Sequence, residues 1–117
     1  MKESIIAKRA YTFGLDIIKM TKILPKTYEN IVIIKQILRS STSIGANIEE
    51  ALGAGSRKEF IHSMNISKKE ARETHYWLRL LIDVNRQPQE LNRILAENEE
   101  IMKMLTMIVK TSSKTYN

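Results

Sequence analysis

Glu59-Phe60-Ile61-His62 puts a carboxylate and an imidazole three residues apart, the Glu-x-x-His spacing with which helical bundles hold di-iron centres. Such a centre takes a second copy of the motif and two further glutamates. The other histidine, His75, has Arg72 three residues before it, a cation where a ligand is required. Around a helix the two histidines lie about 220° apart, so they cannot share a metal. The chain has no cysteine, which excludes thiolate zinc sites, disulfides and cysteine nucleophiles together. Gly45, Gly53 and Gly55 fall inside or just after a helical pattern, not between a strand and a helix where a phosphate loop belongs. The serines have no base placed for them. The expectation is therefore no catalytic residue, no metal, no cofactor, and a protein that is not an enzyme.

A different chemistry is written along residues 58–86. Lys58, His62, Asn65, Lys69, Arg72, Tyr76, Arg79, Asp83 and Arg86 recur at helical spacing, with five cations to one acid and two rings between them. Lysine and arginine in that pattern neutralise phosphates along a nucleic-acid strand, and Tyr76 is placed to stack on an unpaired base. The competing reading is a solvated face held by pairs such as Lys69 with Glu73 and Arg79 with Asp83.

The elements that must carry these residues follow from periodicity. Ile6, Ala10, Phe13, Ile17, Met20 and Leu24 form the buried stripe of a first helix that Pro25 ends. Thr27 is the expected N-cap of a second, with a stripe of Ile31, Ile34, Leu38, Ser41, Gly45, Ile48 and Leu52 and a stop at Gly53 and Gly55. Ser56-Arg57-Lys58-Glu59 fits a capping box, in which the glutamate reaches back to the cap's own N–H. The third helix follows it, with Phe60, Met64, Ser67, Ala71, Thr74, Leu78 and Leu81 as core. Asn85 to Gln87 is the expected turn, and Pro88 suits the first position of a fourth helix. Its stripe is Leu91, Leu95, Asn98, Met102, Leu105 and Val109, with fraying from Thr111 onward. Short connections predict an all-α, antiparallel up-down-up-down four-helix bundle, one domain over residues 1–117.

Two features exceed what one bundle needs. Beside the core face of the third helix run Ile66, Glu70, Glu73, Trp77, Leu80 and Val84, and the second helix has an extra apolar flank at Ile33, Ile37, Ile44 and Ala51. Trp77 and Leu80 either widen the core or, with Ile37 and Ile44, form a subunit interface. Ser40, Ser43, Asn47, Glu50 and Ala54 make a small polar ridge. Partly buried, Asn47 and Glu50 need partners, and Arg39, Arg72, Glu70 and Glu73 are the candidates for a network that fixes helix register.

At 117 residues and a net charge of +6, the chain has room for a modest single core and carries its surplus cations mostly before Arg39. Its longest stretch without a charged residue, Ser40 to Ile48, is too short for a membrane span, and the charged start leaves no secretory signal. A cytoplasmic location and no membrane partner are expected.

Leu38-Arg39-Ser40-Ser41-Thr42-Ser43-Ile44-Gly45-Ala46-Asn47-Ile48-Glu49-Glu50-Ala51, and Phe60 followed by Lys69-Glu70-Ala71-Arg72-Glu73-Thr74-His75-Tyr76-Trp77-Leu78, are similar to the signature of a bacterial family. Over essentially its whole length the chain resembles the "four helix bundle protein" family. That family is related to the proteins encoded in intervening sequences of large-subunit ribosomal RNA genes and to the accessory variability determinant of diversity-generating retroelements. The resemblance implies a homopentameric ring with a basic surface and nucleic-acid binding, and in the retroelement branch contact with a reverse transcriptase. It implies that Arg39, Asn47, Glu50, Glu70, Arg72 and Trp77 hold helix packing and the subunit contact. The leading expectation is an oligomeric RNA- or DNA-binding protein of low sequence specificity. The alternative is an interaction scaffold or accessory subunit with a protein partner.

Overall fold

The computed structural model describes residues 4–86 and 88–116, without the side chains of 115 and 116. Lys2 and Glu3 of the N-terminal charge count, Gln87 of the expected turn and Asn117 lie outside the described residues. The structure consists of four helices, α1 Ile5–Thr21, α2 Tyr28–Leu52, α3 Arg57–Val84 and α4 Gln89–Tyr116, with no strand among the described residues. The chain is all-α, a four-helix bundle in which α1 packs on α2 and α4 while α3 packs on the same two neighbours. At about 1.5 Å per residue, the lengths of α3 and α4 set the 47 Å long axis of a body 25 by 21 Å across.

Three of the helix starts are marked by a hydroxyl. Ser4, Thr27 and Ser56 hold extended backbone and accept from the N–H groups of Ala7, Asn30 and Glu59, which would otherwise be orphaned in the first turn. Glu59 does reach back, but onto the N–H of Gly55 (3.1 Å) and not that of Ser56. Pro88 stands one residue ahead of α4, its carbonyl accepting from Leu91 and Asn92, instead of opening the helix. Nor does the chain fray at Thr111: α4 continues to Tyr116.

The stripes of α1 and α3 are buried as their spacing predicts, and Phe60 is half-buried. On α2 the phase is different. Asn30, Ile33, Ile37, Ser40, Ser41, Ile44, Ile48 and Ala51 are buried, whereas Ile31 and Leu52 of the expected stripe are about half exposed. The flank read as surplus is the core, and part of the stripe read as core is surface. Both ridges of α2 are apolar, so hydrophobicity alone cannot set the rotation. What sets it is neighbours: α3 runs 28 residues along one ridge, while α1, at 17, covers the other only in part. On α4, Ile94 and Ile101 are buried, and Leu95 and Met102 pack at the core's edge.

Several polar groups inside this core are paired across helices, whereas Ser41 Oγ and Asn98 Oδ1 are buried without a partner among the described residues. Ser67 Oγ donates to Ile44 O (2.8 Å) and Asn98 Nδ2 to Ala71 O (3.2 Å), and Thr74 Oγ1 lies 2.7 Å from Ser40 Oγ. At one end, Asn30 and Asn85 exchange amide hydrogen bonds of 3.0 and 2.8 Å. Their second N–H groups go to Pro25 O and Leu81 O, so the loop before α2 is clasped to the turn after α3.

Candidate nucleic-acid interface

The ridge on α3 is exposed along its length: Lys58, His62, Asn65, Lys69, Arg72, Tyr76, Arg79 and Asp83 all face outward. From Lys58 to Arg79 it runs about 30 Å along the helix at the standard rise. Arg86 does not continue it in register. Helix α3 stops at Val84, and Arg86 takes a left-handed backbone (φ 60°) in the following turn, which carries its side chain off the helical line.

The pairs that would have neutralised this face are not formed. Among the described residues, Lys58, Lys69, Arg72, Arg79 and Arg86 make no ion pair, so neither Lys69 with Glu73 nor Arg79 with Asp83 is joined. Two acids of α3 beside the ridge, Glu70 and Glu73, are turned elsewhere. Arg39 on α2 reaches both Glu70 (Nη1 to Oε1, 3.4 Å) and Glu73 (Nη2 to Oε2), and Trp77 Nε1 donates to the same Glu73 oxygen at 3.0 Å. Trp77 in turn meets the exposed Tyr76 edge-on, with ring centroids 5.2 Å apart at 71°. A chain from Arg39 through Glu73 and Trp77 therefore sets the ring of Tyr76 between Arg72 and Arg79.

Three members of the expected polar network stand outside it: Asn47, Glu50 and Arg72, which points outward from α3 with no ion pair among the described residues. Asn47 donates only within its own helix, to Ser43 O at 2.8 Å, and Glu50 is exposed. Glu50 stands three turns beyond Arg39 on the same line of α2, near the helix end at Leu52, and makes no ion pair among the described residues. The rotation of α2 onto its Ile33–Ile37–Ile44 ridge overturns half of the expected subunit interface. Ile37 and Ile44 are 0% exposed within one chain, while Trp77 and Leu80 are half-buried at the core's edge. The apolar flank of α2 thus supplies no surface for another copy.

Exposed apolar surface lies instead on α1, where the periodicity pointed to none. Tyr11, Leu15 and Ile18 stand out at 71, 41 and 40% exposure beside a groove of about 360 Å³. Gly14, Ser41, Thr42, Gly45, Ala46 and Glu49 line it. The signal was present: Tyr11, Leu15 and Ile18 repeat at four and three residues outside the core stripe, with a glycine among them.

Among the described residues, no three His, Asp or Glu side chains gather where they could hold a metal, and His75 Nε2 lies 2.9 Å from Glu99 Oε2, far from a second histidine ligand. No helix of the described residues is long and apolar enough to cross a membrane. On the opposite side, Glu97 takes a two-point contact from Arg9 (3.0 and 2.6 Å), and that hydrogen bonding holds the Arg9 guanidinium above its ordinary pKa.

The profile of the 23S rRNA-intervening sequence proteins matches residues 2–107. The chain belongs to that family. None of the curated proteins matches it. Among solved structures it is similar to a protein of unknown function from the S23 ribosomal protein family of Bacteroides thetaiotaomicron. The two are 42% identical with a TM-score of 0.83, over 91% of this chain and 99% of the other. In this intervening-sequence family member the match spans all of the helices to the middle of α4, so the ridge, the Arg39 network and the α1–α2 groove all fall within it.

Proposed function

We propose that this chain is a non-enzymatic nucleic-acid-binding protein that meets the phosphates of RNA or DNA with little sequence readout. It works as a homo-oligomer, a pentameric ring being the form the resemblance favours, in the cytoplasm. One observation carries the binding: Lys58, Lys69, Arg72 and Arg79 share one exposed face with no acid spent on them, while Glu70 and Glu73 beside them are taken by Arg39. A solvated face at neutral balance would show the opposite. The family's description, which ties its members to sequences inserted in 23S rRNA genes, agrees with a polyanionic partner. In each copy the helices run up, down, up and down. That order agrees with Ala10 beside Gly45, Ser40 beside Thr74 and Asn30 beside Asn85, pairings that fall on one helix as they rise on the next.

Fluorescence anisotropy with labelled single-stranded and duplex oligonucleotides at two salt concentrations tests the reading. Binding should fall steeply with salt, by about one unit of log–log slope for each phosphate neutralised. Reversing Arg72, Arg79 and Arg86 to glutamate together should weaken binding and flatten the salt dependence by about one unit for each phosphate left without its cation. Unchanged affinity in that variant moves the binding face off α3. No binding even at low salt removes the reading and leaves the accessory-subunit one.

A further inference from the structure

We propose that the groove between α1 and α2 seats a second copy of this chain, which enters with the outward edge of α4 around Met107. The inference rests on the self-association in the reading above and is independent of nucleic-acid binding.

The floor of the groove is kept open without need inside one bundle. Neither Gly14 nor Gly45 has a positive φ. A Cβ at Gly14 would meet nothing within 4 Å, and one at Gly45 only Ala10, its Cβ at 3.7 Å and its backbone C and O at 3.9 Å, all ordinary contacts. Glycine in mid-helix weakens the helix relative to alanine, so two of them facing one groove are a cost that intramolecular packing does not explain. What they leave is bare backbone that a neighbouring side chain can approach closely.

A second observation points the same way. Ser41 lines the groove at 1% exposure, and its hydroxyl has no hydrogen-bond partner. Buried hydroxyls are nearly always paired in a complete assembly. Above it stand Tyr11, Leu15 and Ile18, apolar and open, and on the wall Glu49 makes no ion pair among the described residues. The occupant that fits is an apolar tip with a cation beside it.

This chain carries such a tip. Met107 is 59% exposed on α4, with Lys103 four residues before it and Lys110 three after it on the same face. Lys110 makes no ion pair among the described residues. Methionine is the side chain best able to adapt to an irregular, small-lined groove. Copies of a chain at +6 repel one another, so a contact between them must bring cation to acid, and Lys110 against Glu49 does so. Groove and α4 edge are different faces of the molecule. The contact is therefore head-to-tail, the kind that closes rings.

Light scattering on the full chain, followed down a concentration series, tests this. The unaltered protein should have a mass of several chains. Ala46→Trp, which fills the groove from an exposed position, should reduce the mass to one chain with helix content and melting temperature unchanged. If that variant folds poorly, Thr42→Arg at the next exposed groove position repeats the test. Glu49→Lys and Lys110→Glu should each weaken association by at least about tenfold, and the double variant should restore it. A single-chain mass at every concentration overturns self-association and the groove together. An oligomer indifferent to both groove variants overturns the groove alone. An oligomer that the groove variants break but the charge swap does not restore overturns α4 as the occupant.

Discussion

Helix α2 has two seams, and they are built on opposite principles. Toward α3 it buries Ile37 and Ile44 completely, and hydroxyls and amides cross the joint at Ser40, Ser67 and Asn30. Toward α1 it presents Gly45 and Ala46 to a groove whose upper rim, Leu15 and Ile18, remains open. Both seams are apolar, but only the first is closed by its own chain. Hydrophobicity of a helix face therefore says that the face will be covered, and it is the length and position of the neighbours that say by what.

The contrast is open to attack in order of expected effect. Ile44→Ala should cost about 2 to 5 kcal/mol in denaturant unfolding, because the closed seam cannot collapse onto the cavity. Leu15→Ala, measured at a concentration where the chain is alone, should stay within about 0.5 kcal/mol. Equal losses at the two sites would abolish the distinction. Next comes Asn30→Ala, which strands the amide of Asn85 and should cost about 1 to 3 kcal/mol. A double-mutant cycle with Asn85→Ala should show the two losses overlapping, since one clasp is broken either way.

On the open seam the sign reverses. Gly14→Ala should stabilise the isolated chain by about 0.5 to 1 kcal/mol, as the added methyl meets nothing and the helix gains. A melting temperature that falls instead would mean the groove is packed after all.

The smallest effect belongs to the surface of α4. There a hydrogen bond from Arg93 (2.5 Å) holds the Glu90 carboxyl below the usual carboxylate range. A carboxylate with a depressed pKa in the folded state contributes stability above its unfolded pKa and loses it as pH falls through the folded one. Arg93→Gln should therefore lower the unfolding midpoint slightly at pH 7, and the difference should vanish on acidification below that range. A gap that persists in acid would assign the effect to packing.

How legible these regions were depends on how many signals each position carries. The stripe of α3 could be read because its ridge is continuous and one flank is basic, while the flank of Glu70, Glu73, Trp77 and Leu80 is mixed. The rotation of α2 could not, because Ile31, Ile34 and Leu38 compete with Ile33, Ile37 and Ile44 at the same spacing. Asn30 was invisible for another reason: a polar residue in the first turn of a helix reads as surface, and its partner is 55 residues away. Arg39, Glu70 and Glu73 stand out by residue type and lie together, while Asn47 turns to the carbonyl of Ser43 in its own helix and Glu50 stays exposed, a choice of partner that residue type does not show. The basic face of α3 was legible as charge; that its acids would be diverted to α2 was not, since that depends on where Arg39 lands.

The exchange of amides between Asn30 and Asn85 sutures one pole of the rod. At the other pole, Ser4 lies by Leu52 and Ser112 by Ala54, so both described ends of the chain emerge beside the Gly53–Ser56 corner. Thermal opening should thus start at the unstitched pole, where α1 begins and α4 finishes, and diminish toward the stitched one. A dye, tag or fused protein attached at either described end would sit at the pole opposite the Asn30–Asn85 clasp and leave that clasp undisturbed.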